Sequence, residues 1–404
     1  MITPSQYICG NRYLLREHVD STSSSFEDLI HTMLSGSLFD RVGARERENA
    51  ALTLRQQLLA VAPSGCHIPP IFSVSSANKS CEFRDLFGTT FIITDDNLLF
   101  IFLMLSYIAS SDSLSECIAS CRFVIIKLLA EELLLHGETS KALPFIIRSS
   151  QYRKSILDIM RLSSVGFTAA TYASRCQLLF VLWHEIIHAN YDAMRQRQAA
   201  EMRHITNLLQ SHGDSLEISR VQDIGMWCPT SVPVLADAFE HYFAYQIKPD
   251  LANQERTKEE MTCDALAILY TTKVMMNANK IHTPEFIIAM TLMTLSYVKI
   301  IEVVRLVAEV ICGTSLSRIA DRFAFLDQAG IRIRSAGHFG YEVVRTECGI
   351  EDWDQVAQFF GPLQTHLIDV FAVVMPKVAA DAMNSVGVTD ADMRNWVPQM
   401  LGIL

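Results

Sequence analysis

The stretch 176-CQLLFVLWHEIIHANYD-192 constrains this chain more than any other. It begins as an apolar helix and then sets His184, Glu185 and His188 among Trp183, Ile186 and Ile187. Burying ionisable groups costs free energy unless something pairs with them. His184 and His188 are four residues apart, so a helix projects both imidazoles from one face, where one cation takes both as ligands. Glu185 follows the first ligand and reaches a water on that ion. The pattern is H-E-x-x-H, in which the glutamate is the general base.

A catalytic metal of this kind needs a third protein ligand. A histidine six residues after the second, with a glycine three after it, is excluded because Met194 and Tyr191 occupy those positions. A glutamate on a later helix remains, and 256-RTKEEMTCDALAILY-270 supplies it. Glu260 and Asp264 are one helical turn apart and share a face. Glu260 is the expected third ligand, and Asp264 the acceptor for a ligating histidine's ring N–H. Thr257 and Glu260 also form a capping box, which would engage Glu260 with the backbone and leave Glu259 as the ligand.

The rest of the chain frames this site. With 404 residues, half of them hydrophobic and 19% charged, it is long and apolar enough for a large core. A net charge of −10 argues against nucleic acid or an anionic membrane as partner. The apolar runs Leu98–Ile108 and Phe286–Met293 are shorter than the roughly 20 residues of a spanning helix, and MITPSQYICGNRYLLREHVD has no signal core. A cytoplasmic protein with no membrane contact is expected. The ten cysteines show no zinc-cluster spacing, and Cys117 and Cys121 read as buried thiols.

Residues 1–65 read as a mostly helical N-terminal region. From 66 to 96, Ile68–Ser75 and Thr89–Thr94 are β-rich runs separated by turn residues, which gives a hairpin or small sheet. Asp95-Asp-Asn caps a helix near Leu98. Helices follow over Leu98–Ala109, Glu116–His136, Ser155–Leu162, Phe167–Ser211, Leu235–Gln246, Lys258–Asn277 and Pro284–Cys312, the last with the start signature Thr-Pro-Glu. His212–Pro233 reads as a loop, Ile331–Arg334 as a short strand, and Trp353–Asn384 as helix. The fold class is mainly α with a small β-sheet, divided into the N-terminal region, a core over 66–345 and C-terminal helices over 346–404.

H-E-I-I-H followed by E-E-M-T-C-D-A resembles the gluzincin metallopeptidases, and within them the Lit-type phage-exclusion endopeptidases. The order of strand, apolar helix, H-E-x-x-H helix and glutamate helix agrees over roughly residues 89–345. The resemblance implies a helical zincin-like core, one zinc per chain and endoproteolysis of an intracellular protein. It also implies a catalytic histidine downstream, for which His338 in His338-Phe-Gly-Tyr341 is the nearest match. Metal ligands would be His184, His188 and Glu260, with Glu185 as base and Asp264 behind one of the ligating histidines. His204, His212, His241, His282, Tyr242 and Tyr245 are read as structural, although His241, His282 and the tyrosines have the chemistry to stabilise an oxyanion. A catalytically silent regulatory protein on the same scaffold is the alternative function.

Overall fold

The computed structural model describes residues 14–15, 44–75, 81–86, 88–162, 164–196, 203, 207, 255–278, 283–314, 316–350 and 352–384. The expected loop His212–Pro233 and helix Leu235–Gln246, together with His204, His212, His241, His282, Tyr242 and Tyr245, lie outside these residues. In chain order the elements are β1 (Leu14–Leu15), α1 (Ala44–Val61), β2 (Ile71–Ser75), β3 (Cys81–Leu86), β4 (Thr89–Asp95), α2 (Asp96–Ser110), α3 (Leu114–Leu135), α4 (Thr139–Leu162), α5 (Ser164–Gln196), α6 (Glu255–Ala278), α7 (Pro284–Ile311) and α8 (Leu316–Ser335). A π-helical turn (Ala336–Gly340), α9 (Tyr341–Cys348) and α10 (Trp353–Met383) follow. The architecture is mainly α with a small sheet.

Local chemistry sets several boundaries. The Asp95 carboxylate accepts from the Asn97 N–H at the start of α2, and Thr283 does the same for Phe286 at the start of α7, with Pro284 in the first turn. In the turn between β3 and β4, Gly88 adopts φ 83°, and its N–H donates to Asp85 Oδ1 at 2.8 Å.

The sheet order is β1-β2-β4-β3. β2 and β4 pair in parallel, Ile71 opposite Ile92, and β3 pairs antiparallel with β4, Phe83 opposite Ile92. Of the two readings, hairpin or small sheet, the second holds: the two β-rich runs are parallel neighbours in one sheet, not the arms of a hairpin. The hairpin partner is Cys81–Leu86, whose Glu82, Arg84 and Asp85 hid it among the polar turn residues. Charges of this kind are compatible with an edge strand. Phe91, Ile92 and Ile93 of the central β4 are fully buried.

Two apolar clusters fill the helical layers. The first joins α2, α3, the start of α4, the second half of α7, and α10 through residues such as Met104, Leu129, Val303 and Phe371. The second joins α5, α6, the first half of α7, the π-turn and α9 around Trp183, Leu266, Ile288 and Phe339. Leu58 of α1 also belongs to it. Ser106, Gln177 and Tyr297 hydrogen-bond to one another between α2, α5 and α7, at 3.0–3.2 Å.

Ile331–Arg334 is the last turn of α8, not a strand. Its alternation imitates a strand, but Ile331 is needed in the second cluster and Arg332 on the opposite polar side. Among the described residues, two helices, α7 and α10, are long and apolar enough by length and composition to cross a membrane. The α7 window is 94% buried within the protein, so it is the central helix of the bundle, and the corresponding α10 window is 39% buried.

Candidate metal centre

Two helices create the site by burying their apolar faces against each other. On α5, Trp183, Ile186 and Ile187 enter the core, and the Trp183 ring lies 4.8 Å from that of Tyr270 on α6. On α6, Met261, Cys263, Ala265 and Leu266 are buried likewise. His184, Glu185 and His188 come together with Glu259, Glu260 and Asp264 in the polar seam beside this contact.

The imidazoles meet through their Nε2 atoms, 3.0 Å apart. Glu260 faces both, with Oε2 3.3 Å from His184 Nε2 and Oε1 3.5 Å from His188 Nε2. His184 Nδ1 lies 2.9 Å from Asp264 Oδ1, and His188 Nδ1 lies 2.9 Å from Glu259 Oε1. His188 Nδ1 hydrogen-bonds to Glu259, and His184 Nδ1 lies close to Asp264 without an aligned hydrogen bond, so that both Nε2 atoms face one point. Facing lone pairs at that separation repel unless a cation or a proton sits between them. His184, His188 and Glu260 each offer one ligand atom within 4.8 Å of the others, so the three can hold a metal ion.

The charge around this point fits a cation. Glu185, Glu259, Glu260 and Asp264 are four carboxylates against the one guanidinium of Arg332, a net negative surrounding that favours a cation between the imidazoles. Arg332 donates from Nε and Nη2 to the Asp264 carboxylate, both at 2.8 Å, and its Nη1 lies 3.1 Å from Glu260 Oε2. Burial lowers the proton affinity of His184, but Asp264 and Glu260 outweigh it and push its pKa up to about 10. Burial raises Glu260 and Asp264, yet their partners, led by the histidines for Glu260 and by Arg332 for Asp264, hold both below the carboxylate range.

Glu185 is held from outside the two helices. Its Oε2 accepts the Phe83 N–H of β3 at 2.7 Å. Burial pushes its pKa up, partly opposed by His184 and by that N–H. Asn190 anchors the same helix to the chain entering β2. Its Oδ1 accepts from His67 N–H and its Nδ2 donates to His67 O, each at 2.8 Å. A cavity of about 610 Å³ opens over His184, Glu185 and His188, bounded by β3, α2, α7 and α8.

The structure thus gathers His184, Glu185, His188, Glu260 and Asp264. It separates Glu259 from the ligand position and puts it on His188 Nδ1. It does not bring His338 to the site. His338 is exposed and absent from the cavity wall, because the π-turn directs Phe339 and Gly340 against α6. A Cβ on Gly340 would stand 2.5 Å from Ile268 Cδ1, a measure of that close approach. Sequence reasoning missed Arg332, whose signal was a basic residue between the apolar Ile331 and Ile333, and missed the anchoring N–H of Phe83, which has no side-chain signal. No protein-family model, curated protein or solved structure matches the chain.

Proposed function

We propose that this protein is a zinc-dependent endopeptidase acting on an extended segment of another protein. The observation that carries the reading is the combination of a His-His-Glu group able to hold a metal with Glu185 beside it, opening into a cavity. Two imidazoles and one carboxylate make the donor set of catalytic zinc in peptidases, with one position left for water or substrate. Zinc bound there supplies Lewis acidity to a scissile carbonyl and acidifies a water.

The chain's own residues do the rest. Glu185, anchored through Oε2, takes the proton from the attacking water and returns it to the leaving amine. A carboxylate whose pKa is raised by burial is suited to that exchange. Asp264 and Glu259 fix the tautomers of the two histidines. The outward side of β3 lines the cavity through Cys81–Arg84. It is the sheet edge that a substrate strand can join, rather than the central β4. On the silent-scaffold reading Glu185 only ties α5 to β3 through the Phe83 N–H, and its position beside the two imidazoles has no further use.

The test separates binding from chemistry. Purified protein should contain one zinc per chain, and Glu185→Gln should retain it while cleavage of a denatured protein mixture falls at least about a hundredfold. Wild-type protein that holds no metal, or a fully active Glu185→Gln, would sink the proposal.

A further inference from the structure

Away from the metal centre, α3, α4 and α10 leave a second cavity, of about 220 Å³, where they meet. α3 brings Arg122 and Ile126 to it, one helical turn apart. α4 brings Phe145, Arg148 and Tyr152, which the helical repeat places on one face, and α10 brings Val378 and Asp381. None of these residues lines the cavity over His184, Glu185 and His188.

The walls are of two kinds. Ile126, Phe145 and Val378 are buried members of the first apolar cluster. The polar groups beside them do not cancel, because two guanidiniums stand against one carboxylate. Arg148 Nη1 is 3.9 Å from Asp381 Oδ2, and these side chains are 51% and 65% exposed, so solvent weakens the pair. Arg122 is partly buried, and its guanidinium has no partner among the described residues. A planar fork of uncommitted N–H donors is matched by a carboxylate, which it takes through two hydrogen bonds.

Size and charge narrow the ligand. The cavity is smaller than the pockets that hold drug-sized molecules or nucleotides. Its net charge of one positive suits a monoanion, and its apolar wall suits a hydrocarbon body. We propose that this three-helix junction binds a small apolar carboxylic acid as its monoanion, with an aryl or branched-alkyl body. The carboxylate lies on Arg122, with Arg148 as the second cation, and the body lies on Ile126, Phe145 and Val378. The site is independent of the endopeptidase reading, and its test needs no peptide cleavage.

Calorimetry on the full chain with phenylacetate, phenylacetamide and inorganic phosphate separates charge from shape. Phenylacetate should bind with a dissociation constant below about 1 mM, and phenylacetamide, of the same shape but uncharged, at least about tenfold more weakly. Phosphate has no hydrocarbon body and should also bind at least about tenfold more weakly. Arg122→Gln should weaken phenylacetate at least about tenfold and Arg148→Gln about threefold, whereas Asp381→Asn, which removes the competing carboxylate, should tighten it about twofold. A carboxylate held by a metal at His184 and His188 would be indifferent to Arg122. Phenylacetate binding that survives Arg122→Gln therefore overturns the proposal, as do equal binding of phenylacetamide, tighter binding of phosphate, or no phenylacetate binding at about 5 mM. If Arg122→Gln fails to fold, Asp381→Asn on its exposed side chain still decides, and an unchanged or weakened affinity there overturns the proposal.

Discussion

His184 has a carboxylate on each side of its ring, and the two carboxylates do different work. Glu260 faces Nε2 and Asp264 faces Nδ1. On the proposed reading, removing the first would delete a ligand, whereas altering the second would only loosen the ring. We expect Glu260→Ala to lower zinc affinity far more than Glu259→Ala, and Asp264→Asn to weaken it roughly 10–100-fold. Competition with a chelator of known affinity measures all three, and a greater loss from Glu259→Ala would show that the ligand had been misassigned. His184→Ala and His188→Ala should each reduce bound zinc below about a tenth of an equivalent. Arg332 tests the other side of the site. Asp264 is fully buried, and Arg332 compensates its charge with two hydrogen bonds at 2.8 Å. Arg332→Met should cost about 3 kcal/mol of stability in the metal-free protein, read by denaturant titration, because the carboxylate stays behind.

At the scale of elements, β3 and β4 have opposite tolerances. The Ile92 N–H donates to Pro70 O at 2.8 Å inside the sheet, so Ile92→Pro should break the β2–β4 pairing and reduce soluble folded protein. Phe83 sits on the edge strand, and its N–H points away from β4 to Glu185. Phe83→Pro removes that bond without removing a ladder bond. We expect cleavage to fall about tenfold with zinc content and melting temperature nearly unchanged, since one charge-assisted hydrogen bond is worth about 1.5 kcal/mol. Unfolding of the Phe83 variant would mean that the edge has a structural role larger than anchoring the base. His338 belongs to this scale too. It fails as a site residue because the π-turn fixes which neighbours face α6, a property of the backbone and not of the histidine.

For the whole molecule, the His184, His188 and Glu260 group, which could hold a metal, ties α5 to α6 in the second cluster, while the first cluster is assembled around α7 without it. A ligand that binds only the folded state stabilises it by mass action, by about 2.7 kcal/mol at a hundred times its dissociation constant. Zinc should therefore raise the melting temperature by several degrees, and a chelator should reverse the shift. The His188→Ala variant should show no shift. Contacts also cross the divisions drawn from composition. Leu58 packs with the H-E-x-x-H helix cluster, and Phe371 and Met375 of α10 pack against the α7 half of the bundle.

The sequence by itself determined what depends on neighbours within one or two turns. The 3.6-residue repeat put His184 with His188 and Glu260 with Asp264, and the Asp95 and Thr283 caps marked two helix starts. Tertiary structure decided everything that needed distant partners. Arg332 meets Asp264 across 68 residues, and Phe83 meets Glu185 across 102. The choice between Glu259 and Glu260 was also tertiary. Both carboxylates sit on the same turn, and only the approach angle of α6 to α5 places one on Nε2 and the other on Nδ1. Likewise β4 reads as a strand from its β-branched residues, but its central position depends on Cys81–Leu86, whose charges disguise it until it pairs. Local backbone hydrogen bonding and side-chain periodicity are written in short windows of sequence. The packing of one helix on another sets which polar side chains meet.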